Sequence, residues 1–492
     1  MLLLTTRQLF IDINSESVRK SVTIQGSSPS ASGSNTKNLN MSHPKTGRWL
    51  WFWMGMSGIA MVSATAGALL AVSLTSTPLM QANLTPEQAA VFDSDRISGN
   101  GLKFSELTRP VNVLVMGMSV LPPDVKNSTT DTKKLGYLPQ VNSFDGLSDV
   151  MLLIRFDPEK KKMTMLSIPR DTRTQIEGHG VKKINAANTF GGPALTAQTT
   201  SNLLSGVGID RYIRINVLGV GKLIDALGGV TVYVPKDMKY QDDSQHLYIN
   251  LKAGKQHLNG EQALQLLRFR HDENGDIGRI QRQQMVMRAL MDQSLNPTTV
   301  AKTPQILNVV KEHIDTNLTV EELLALAGFG VRTNRSNMQM VMLPGRFSEK
   351  QEFDASYWIA DNRRVKSMMK QHFDIQSDEQ TEETVTDPAS LRIAIQDNTG
   401  TEKTNLRPLV RILEKAGYRN IYIAKSLSNE PLEVSHIVAQ QGDGGSADLV
   451  RNALGFGEVR VESTGNLGSD ISIQVGKDWL QKRDLSEQQP QR

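Results

Sequence analysis

The sequence has no cysteine, little net charge and no internal repeat, and each absence excludes a class of protein. Without cysteine there is no disulfide, no thiolate metal site and no cysteine nucleophile, although the compartment stays open because many exported proteins also lack cysteine. A net charge of +4 over 492 residues argues against a nucleic-acid partner. No repeat of about 20 to 50 residues is present, which excludes a solenoid.

Charge is also absent from one long apolar stretch near the N-terminus. Trp49–Leu74 holds 26 residues without a charged side chain, and about 20 apolar residues cross a bilayer as a helix. Lysine and arginine precede the stretch, whereas the first charges after it are acidic. We therefore predict a single-pass plasma-membrane protein with its N-terminus in the cytoplasm and its main domains outside. A cleaved signal peptide and a buried core helix are the alternatives.

The length of the chain suggests two or three folded units. Residues 26–40, before the anchor, are rich in Ser, Gly and Asn, and a run of acidic residues without Lys or Arg lies at 374–388. The predicted organisation is a disordered cytoplasmic tail (1–48), a transmembrane helix (49–74), a spacer (75–104), an α/β domain (105–373), an acidic linker (374–388), a small C-terminal α/β domain (389–480) and a tail (481–492).

Short apolar runs alternate with stretches of helical spacing, which is typical of a layered α/β fold. Val150–Phe156 and Met163–Ile168 predict two strands, and the short turn between them favours antiparallel neighbours. Val217–Leu227 predicts a helix that ends at a glycine pair. Glu261–Leu267 and Ile280–Leu295 predict two further helices.

Polar side chains that suit anion chemistry occur in three clusters. Asp149 begins a predicted strand, and Arg170-Asp171 follows another. The third cluster runs from Arg268 to Gln283. Within it, Arg268 and Arg270 share a face of an extended chain, whereas Arg279, Arg282 and Gln283 share a helix face, with the polar loop His271–Gly278 between them.

The arginines of the third cluster predict an anion site if they converge. Several guanidinium groups repel one another unless an anion lies among them, and their planar forks match phosphate oxygens, so pyrophosphate is the expected guest. Arg170 is well placed to add another guanidinium group to this site. A solvated helix face with local acidic partners is the alternative. Two further alternatives stay open. Arg170 and Asp171 could form a salt bridge within a turn, and Asp149 could cap a backbone group or pair with an arginine.

Several motifs resemble the LytR–CpsA–Psr family and occur in its order. They include NVLVMG at 112–117, GLSDVMLLIRFDPEKKKMTMLSIPRDT at 146–172, KINAANTFGG at 183–192 and LRFRHDENGDIGRIQRQQ at 267–284. Residues 389–480, with IQDNTG at 395–400, resemble the LytR C-terminal domain. The resemblance implies an α-β-α sandwich with an apolar tunnel for a lipid tail, ahead of a small C-terminal α/β domain. It also implies a phosphotransferase that moves a glycopolymer from a polyprenyl-pyrophosphate carrier to cell-wall peptidoglycan.

The resemblance assigns roles to individual residues. The pyrophosphate-binding arginines match Arg170, Arg268, Arg270 and Arg279, and Gln283 matches a residue beside the head group. Asp149 matches a carboxylate associated with Mg²⁺, while Asp276, together with Arg282, supports the arginine helix. In the expected reaction a wall hydroxyl attacks the phosphorus on the sugar side and lipid phosphate leaves. Arg170 stabilises the charge. The resemblance does not identify the general base, and Asp171 or another carboxylate is the candidate.

Two positions depart from the family pattern. Ser119 stands where the family usually has aspartate, and a neutral hydroxyl is a poorer ligand than a carboxylate for a hard cation. Leu147 stands where an arginine usually precedes Ser-Asp and supplies no charge. Asp124 and Asp145 are candidates to compensate. The departures keep open a second function, a non-catalytic envelope protein that binds lipid-linked glycan. A transcription regulator is a third, against which stand the outward topology, the low net charge and the lack of a DNA-reading helix pair.

Overall fold

The computed structural model describes the chain from residue 79 to residue 488. Within this range it leaves out residues 100–105, 119–143, 145, 244–246, 270–274, 295–298, 300–301, 335–336, 350, 376–386, 402–403, 427–429, 441, 463–464 and 467. The predicted cytoplasmic tail and transmembrane helix therefore lie outside the described residues. Within the described ranges, no helix has the length and apolar character needed to cross a bilayer.

A six-stranded mixed sheet forms the centre of the larger domain. Its strands, numbered in chain order along the whole protein, are β1 (Val111–Met118), β2 (Ser148–Asp157), β3 (Lys162–Ser167), β6 (Arg211–Asn216), β11 (Ile314–Thr316) and β12 (Met338–Met342). They lie in the order β11-β6-β1-β2-β3-β12. As predicted, β2 and β3 are antiparallel neighbours. The pairs β1–β6 and β3–β12 are parallel, so longer connections with helices join these strands.

Four two-stranded ribbons surround this sheet. They pair β4 (Arg173–Ile176) with β5 (Gly180–Lys183), β7 (Val230–Val234) with β10 (Gly254–Leu258), β8 (Met238–Asp242) with β9 (Leu247–Leu251), and β13 (Gly345–Phe347) with β14 (Trp358–Ala360). The first ribbon and the last meet through a bridge between Thr172 and Trp358.

The helices of the larger domain pack on both faces of the sheet. They are α1 (Pro86–Ala89), α2 (Ala187–Leu203), α3 (Val217–Leu227), α4 (Gly260–Arg268), α5 (Gly275–Ser294), α6 (Thr303–His313), α7 (Val320–Arg332) and α8 (Asn362–Phe373). Residues of α2 and α8 share a buried cluster with Leu114 and Leu153 on one sheet face. Residues of α7 and α5 cover the other face, against Val113 and Leu152. Both faces of β1 and β2 are therefore buried, which explains their nearly continuous apolar sequences.

The C-terminal domain contains a five-stranded sheet of its own. Its strands are β15 (Arg392–Asp397), β16 (Asn420–Ala424), β17 (His436–Ala439), β18 (Glu458–Val461) and β19 (Ile471–Val475), and its helices are α9 (Arg407–Lys415), α10 (Gly444–Leu454) and α11 (Lys477–Gln488). The strand order is β16-β15-β19-β17-β18. A separate hydrophobic core, which includes Trp479 of α11, joins the helices to the sheet. The predicted mixed α/β class is thus confirmed in both domains.

The structure differs from the sequence prediction at several boundaries. Helix α5 begins at Gly275, inside the predicted loop His271–Gly278, so Asp276 lies on the same helix as Arg279. The predicted spacer contains buried side chains, Phe92 and Ile97, which belong to the cores of the larger domain. At the other end, α11 continues to residue 488, within the predicted tail.

One residue of the predicted acidic linker is bound to the larger domain. Asp374 ends α8 in a left-handed conformation and accepts hydrogen bonds from Arg155 at 2.8 Å and from Lys160 at 2.6 Å. Two cations of the β2–β3 hairpin therefore attach the first residue of the predicted linker to the larger domain.

Candidate functional site

The antiparallel pairing of β2 and β3 brings the first two polar clusters together. In the register of this pair Leu152 lies opposite Ser167, and the backbone N–H of Ile168 continues the pairing by donating to Met151 O. The same register places Asp149, at the start of β2, opposite Arg170, just after β3. Arg170 Nη1 donates to Asp149 Oδ1 at 2.7 Å.

The third cluster reaches the same point through helix α5. Arg279 Nη2 donates to Asp149 Oδ2 at 2.7 Å, so one carboxylate oxygen faces each guanidinium group. Asp149 is 9% exposed. Charge-assisted hydrogen bonds of this length are among the stronger polar contacts in proteins. Asp149 therefore joins a strand, a turn and a helix at one end of the sheet.

The ionisation of Asp149 follows from this environment. Burial alone would raise the pKa of its carboxyl group, but the positive charges of Arg279 and Arg170 and their hydrogen bonds outweigh burial, so the pKa lies below its ordinary value of 3.8. The group is thus an anion near neutral pH. Two guanidinium groups from separate elements therefore meet at one ionised carboxylate.

Asp171 forms a second acidic position beside the first. Lys183 Nζ lies 2.7 Å from Asp171 Oδ1, and Arg170 Nε lies 3.3 Å from Asp171 Oδ2. The alternative of a turn salt bridge between Arg170 and Asp171 therefore describes a real contact, but both residues also contact other groups. Lys183 was not singled out from the sequence, although it opens one of the family motifs.

Two buried asparagines hold the loop and strand that carry these charges. Asn185 donates its backbone N–H to Arg170 O at 3.2 Å, and its own carbonyl accepts from Ser148 Oγ at 3.4 Å. Asn188 Nδ2 donates to Phe144 O and Gly146 O, both at 2.8 Å, just ahead of β2. Sequence reasoning missed both residues as site elements. Their place in the motif KINAANTFGG was the available signal.

The remaining predicted residues have different positions. Arg282 is buried and donates Nη2 to Phe269 O at 2.6 Å, so it joins α5 to the segment that follows α4. Arg268 ends α4 on an exposed surface. Arg270 and Ser119 lie outside the described residues. Of Asp276, only the backbone, in the first turn of α5, is described.

A narrow apolar crevice starts beside the charged cluster. It lies between the sheet and α5, holds about 20 Å³, and is lined by Val150, Leu152, Met165, Ser167, Gln283, Gln284, Met287, Met340 and Val341. Gln283 is thus found next to the strand that carries Asp149. Leu147, which replaces the usual family arginine, is half-buried directly before β2.

Comparison with protein families gives two matches. A model described as the LytR_cpsA_psr family matches residues 79–374. A second model, described as the LytR cell envelope-related transcriptional attenuator, matches residues 390–479. Together they span the larger and the C-terminal domains.

Individual proteins give a consistent picture. The chain is 40% identical over 188 residues, 37% of its length and 47% of the relative, to the polyisoprenyl-teichoic acid–peptidoglycan teichoic acid transferase TagV of Bacillus subtilis. It is 36% identical over 188 residues, 38% of its length and 56% of the relative, to the regulatory protein MsrR of Staphylococcus aureus. The chain thus spans about half the length of these relatives. The crystal structure of B. subtilis TagV is 30% identical, with a TM-score of 0.44, covering 55% of this chain and 99% of that one.

Proposed function

This chain belongs to the LytR–CpsA–Psr family, and we propose that it is a phosphotransferase that moves a glycopolymer from a polyprenyl-pyrophosphate carrier to cell-wall peptidoglycan. The observation that carries the proposal is the contact of Arg170 and Arg279 with one buried carboxylate, Asp149. The similarity to TagV, which is named a polyisoprenyl-teichoic acid–peptidoglycan teichoic acid transferase, supports the same reaction class.

The charged cluster suits a diphosphate group for a physical reason. Arg170 and Arg279 come from separate elements, and Asp149 keeps them at a fixed spacing, so little reorganisation is needed when phosphate oxygens arrive. Arg268, the last residue of α4, and Arg270, two positions later, would add positive charge, and Gln283 would contact the head group. Arg282 and Asp276 would support this helix and its preceding segment.

The proposed reaction transfers the phosphoryl group of the glycan. A wall hydroxyl attacks the phosphorus on the sugar side, the bond from that phosphorus to the bridging oxygen breaks, and lipid phosphate leaves with the oxygen. Arg170 stabilises the negative charge that develops. Asp171 accepts the hydroxyl proton, and Lys183 and Arg170 hold its carboxylate in place.

Magnesium belongs to the proposal as a group that Asp149 would hold. An ionised carboxylate is the oxygen ligand that Mg²⁺ prefers, with substrate phosphates and water completing the shell. Each oxygen of Asp149 accepts a hydrogen bond from an arginine, and a carboxylate oxygen carries two lone pairs, so these contacts do not by themselves exclude the ion. When bound, the ion would neutralise pyrophosphate charge.

We expect the lipid tail to enter between the sheet and α5, which are two adjacent layers of the proposed α-β-α sandwich. The crevice there is too small for a polyprenyl chain as it stands. Three methionines line it, Met165, Met287 and Met340, and unbranched methionine side chains can rearrange around an apolar guest. The proposed anchor at residues 49–74 would keep the domain beside the membrane that supplies the lipid.

Transfer by the purified full-length protein in detergent tests the proposal. With a polyprenyl-pyrophosphate-linked glycan and cell-wall sacculi, the wild type should release lipid phosphate and attach glycan to the wall. Arg279→Ala should lower this rate by at least about a hundredfold, because a charge contact made in the transition state is lost. The matched control is Lys252→Ala, which removes an exposed ion pair with Asp237 beside the β8–β9 ribbon. Equal rates for Arg279→Ala and the wild type would refute the proposed site.

A second candidate is a non-catalytic envelope protein that binds lipid-linked glycan in the same pocket. The uncharged Leu147, two residues before Asp149, favours it, because one positive group of the family pattern is missing. Binding of the lipid-linked glycan without magnesium-dependent release of lipid phosphate would identify this function.

A further inference from the structure

A second cavity lies beside Asp171, away from the apolar crevice. It is an open cleft of about 670 Å³ between the β4–β5 ribbon, β14 and the end of α2. Its lining includes polar and charged side chains together with one aromatic ring: Arg173, Gln175, Glu177, Asn202, Asn362 and Phe353. None of these residues has a role in the pyrophosphate site.

The backbone connects this cleft directly to the charged cluster. Arg173 follows Asp171 by two residues, and Asp171 O accepts a hydrogen bond from the backbone N–H of Trp358 at 3.0 Å. Ile359, the next residue of β14, lines the cleft. A ligand bound in the cleft would therefore contact Arg173, two residues after Asp171, and the strand that hydrogen-bonds to the Asp171 backbone.

Aromatic rings and cations alternate along this surface. The guanidinium carbon of Arg173 is 4.6 Å from the centre of the Phe353 ring, and Lys183 Nζ is 5.5 Å from the centre of the Tyr357 ring. At the turn of the ribbon, His179 stacks on Phe190 of α2, which is 42% exposed, with 4.2 Å between the ring centres. These pairs give flat apolar faces beside positive groups.

The strand register of the β4–β5 ribbon places positive side chains next to one another, which lowers the stability of the ribbon. Arg173 lies directly opposite Lys183 in the β4–β5 pair, and Lys182 is adjacent. Like charges facing each other across two strands destabilise a hairpin. Asp171 and the aromatic rings partly offset the repulsion among these positive charges, and an anionic ligand would offset it further.

The chemistry of the lining identifies the class of ligand. Amide, carboxylate and guanidinium groups next to an aromatic face suit a sugar, which presents hydroxyl groups at its edge and C–H groups on its face. Excess positive charge suits carboxylates on that sugar. We propose that the cleft and the β4–β5 ribbon bind the acceptor, a carboxylate-bearing glycan strand, and deliver its hydroxyl to Asp171. This proposal rests on the proposed function.

Direct binding of a soluble wall fragment tests the cleft without requiring transfer. The probe is a muramidase-released glycan oligomer with its peptide carboxylates, titrated into the detergent-solubilised full chain by calorimetry. The wild type should bind, and Phe353→Ala and Arg173→Gln should each bind at least about tenfold more weakly. Tyr248→Ala, an exposed aromatic residue on β9, is the matched control and should bind like the wild type.

A second titration separates this proposal from the proposed function. A short-chain polyprenyl pyrophosphate should bind Phe353→Ala and Arg173→Gln as it binds the wild type, whereas Arg279→Ala should lose this ligand and keep the glycan. Unchanged glycan affinity in both cleft variants would overturn the proposal, as would equal binding of anionic lipid vesicles at the same residues. Glycan binding by a wild type that never transfers would refute the proposed function and the acceptor role, leaving a glycan-binding site.

Discussion

Asp149 shows how a single buried residue depends on its partners. Removing a carboxylate from water is unfavourable unless opposite charges and hydrogen bonds replace the lost hydration. Here Arg170 and Arg279 do so, one at each oxygen, and the side chain of Arg279 is itself only 11% exposed. Any change at this position therefore alters the charge balance of three residues at once.

Asp149→Asn should destabilise the protein and make it respond more strongly to an anion. The neutral amide leaves two guanidinium groups without their shared carboxylate, a change that costs about 3–5 kcal/mol when a buried pair is broken. Inorganic pyrophosphate should then restore part of this loss, so the melting temperature should rise more in the variant than in the wild type. Asp237→Asn, at an exposed ion pair, is the control. A larger pyrophosphate response in the wild type would contradict the expected role of the arginines.

The lowered pKa of Asp149 also predicts an acid-sensitive contribution to stability. Because the pKa in the folded protein lies below the ordinary value of 3.8, the unfolded chain takes up this proton first as the pH falls. The stabilising contribution is therefore complete above about pH 4 and is lost as the pH falls through the folded pKa. The free energies of unfolding of the wild type and Asp149→Asn, measured by urea denaturation between neutral pH and pH 3, should differ less as the pH falls. A constant difference would rule out this linkage.

At the scale of elements, two buried ion pairs connect strand β6 to its surroundings. Arg211 donates to both carboxylate oxygens of Glu322 on α7, at 3.1 and 2.7 Å. Arg214, three residues later, forms an ion pair with Asp315 of β11. Because successive side chains of a strand alternate between its two faces, residues three apart lie on opposite faces. The two arginines therefore attach β6 to α7 on one face and to the neighbouring strand β11 on the other.

Glu322→Gln should destabilise the larger domain much more than a surface change does. The variant leaves the Arg211 guanidinium, 7% exposed, without its counter-charge, which we expect to lower the free energy of unfolding by about 3 kcal/mol or more. Lys252→Ala breaks an exposed pair and should cost less than about 1 kcal/mol. Urea unfolding followed by circular dichroism measures both. Similar values for the two variants would show that the buried pair contributes little.

At the scale of the whole molecule, the C-terminal domain packs against the edge of the larger sheet and against α5. Met340 of β12 bridges to Glu462, and Arg288 of α5 forms an ion pair with the same glutamate. Gln281 Nε2 donates to Gly465 O at 2.9 Å. The helix that carries Arg279 is therefore in contact with both domains.

The buried His372 predicts that this domain contact is sensitive to pH. It lies buried near the end of α8, with Nε2 3.0 Å from Gly442 O of the C-terminal domain. Burial, followed by the nearby charge of Lys162, lowers the pKa of His372 from 6.5 to about 4. The unfolded chain takes up this proton first, so stability should be lost as the pH falls from about 6.5 toward 4.

The variant His372→Gln keeps a side-chain donor but cannot titrate. Its free energy of unfolding, measured by urea denaturation at pH 7 and pH 5, should change less between the two values than that of the wild type. His257, on an exposed ribbon, offers the control variant His257→Gln. If wild type and His372→Gln lost stability equally between these pH values, another group would account for the loss.

Much of the fold followed from local patterns, and part of the site did not. The antiparallel β2–β3 pair and helix α3 were predicted within a few residues, because short turns and a left-handed glycine, Gly228, mark their ends. The start of α5 was predicted too late, since Gly275 and its polar neighbours resemble a loop. Lys183 and Asn188 were missed because their contacts come from residues distant in sequence.

By itself, the sequence determined the mixed α/β class, the family and the residue types that carry charge, since apolar periodicity and motif order are properties of the chain alone. Only the tertiary structure decided which of these charges meet. Arg279 and Asp149 are 130 positions apart, and their contact depends on the packing of α5 against the sheet. The same packing directs Arg282, three residues along that helix, to Phe269 O instead, because side chains on one helix face still reach different neighbours.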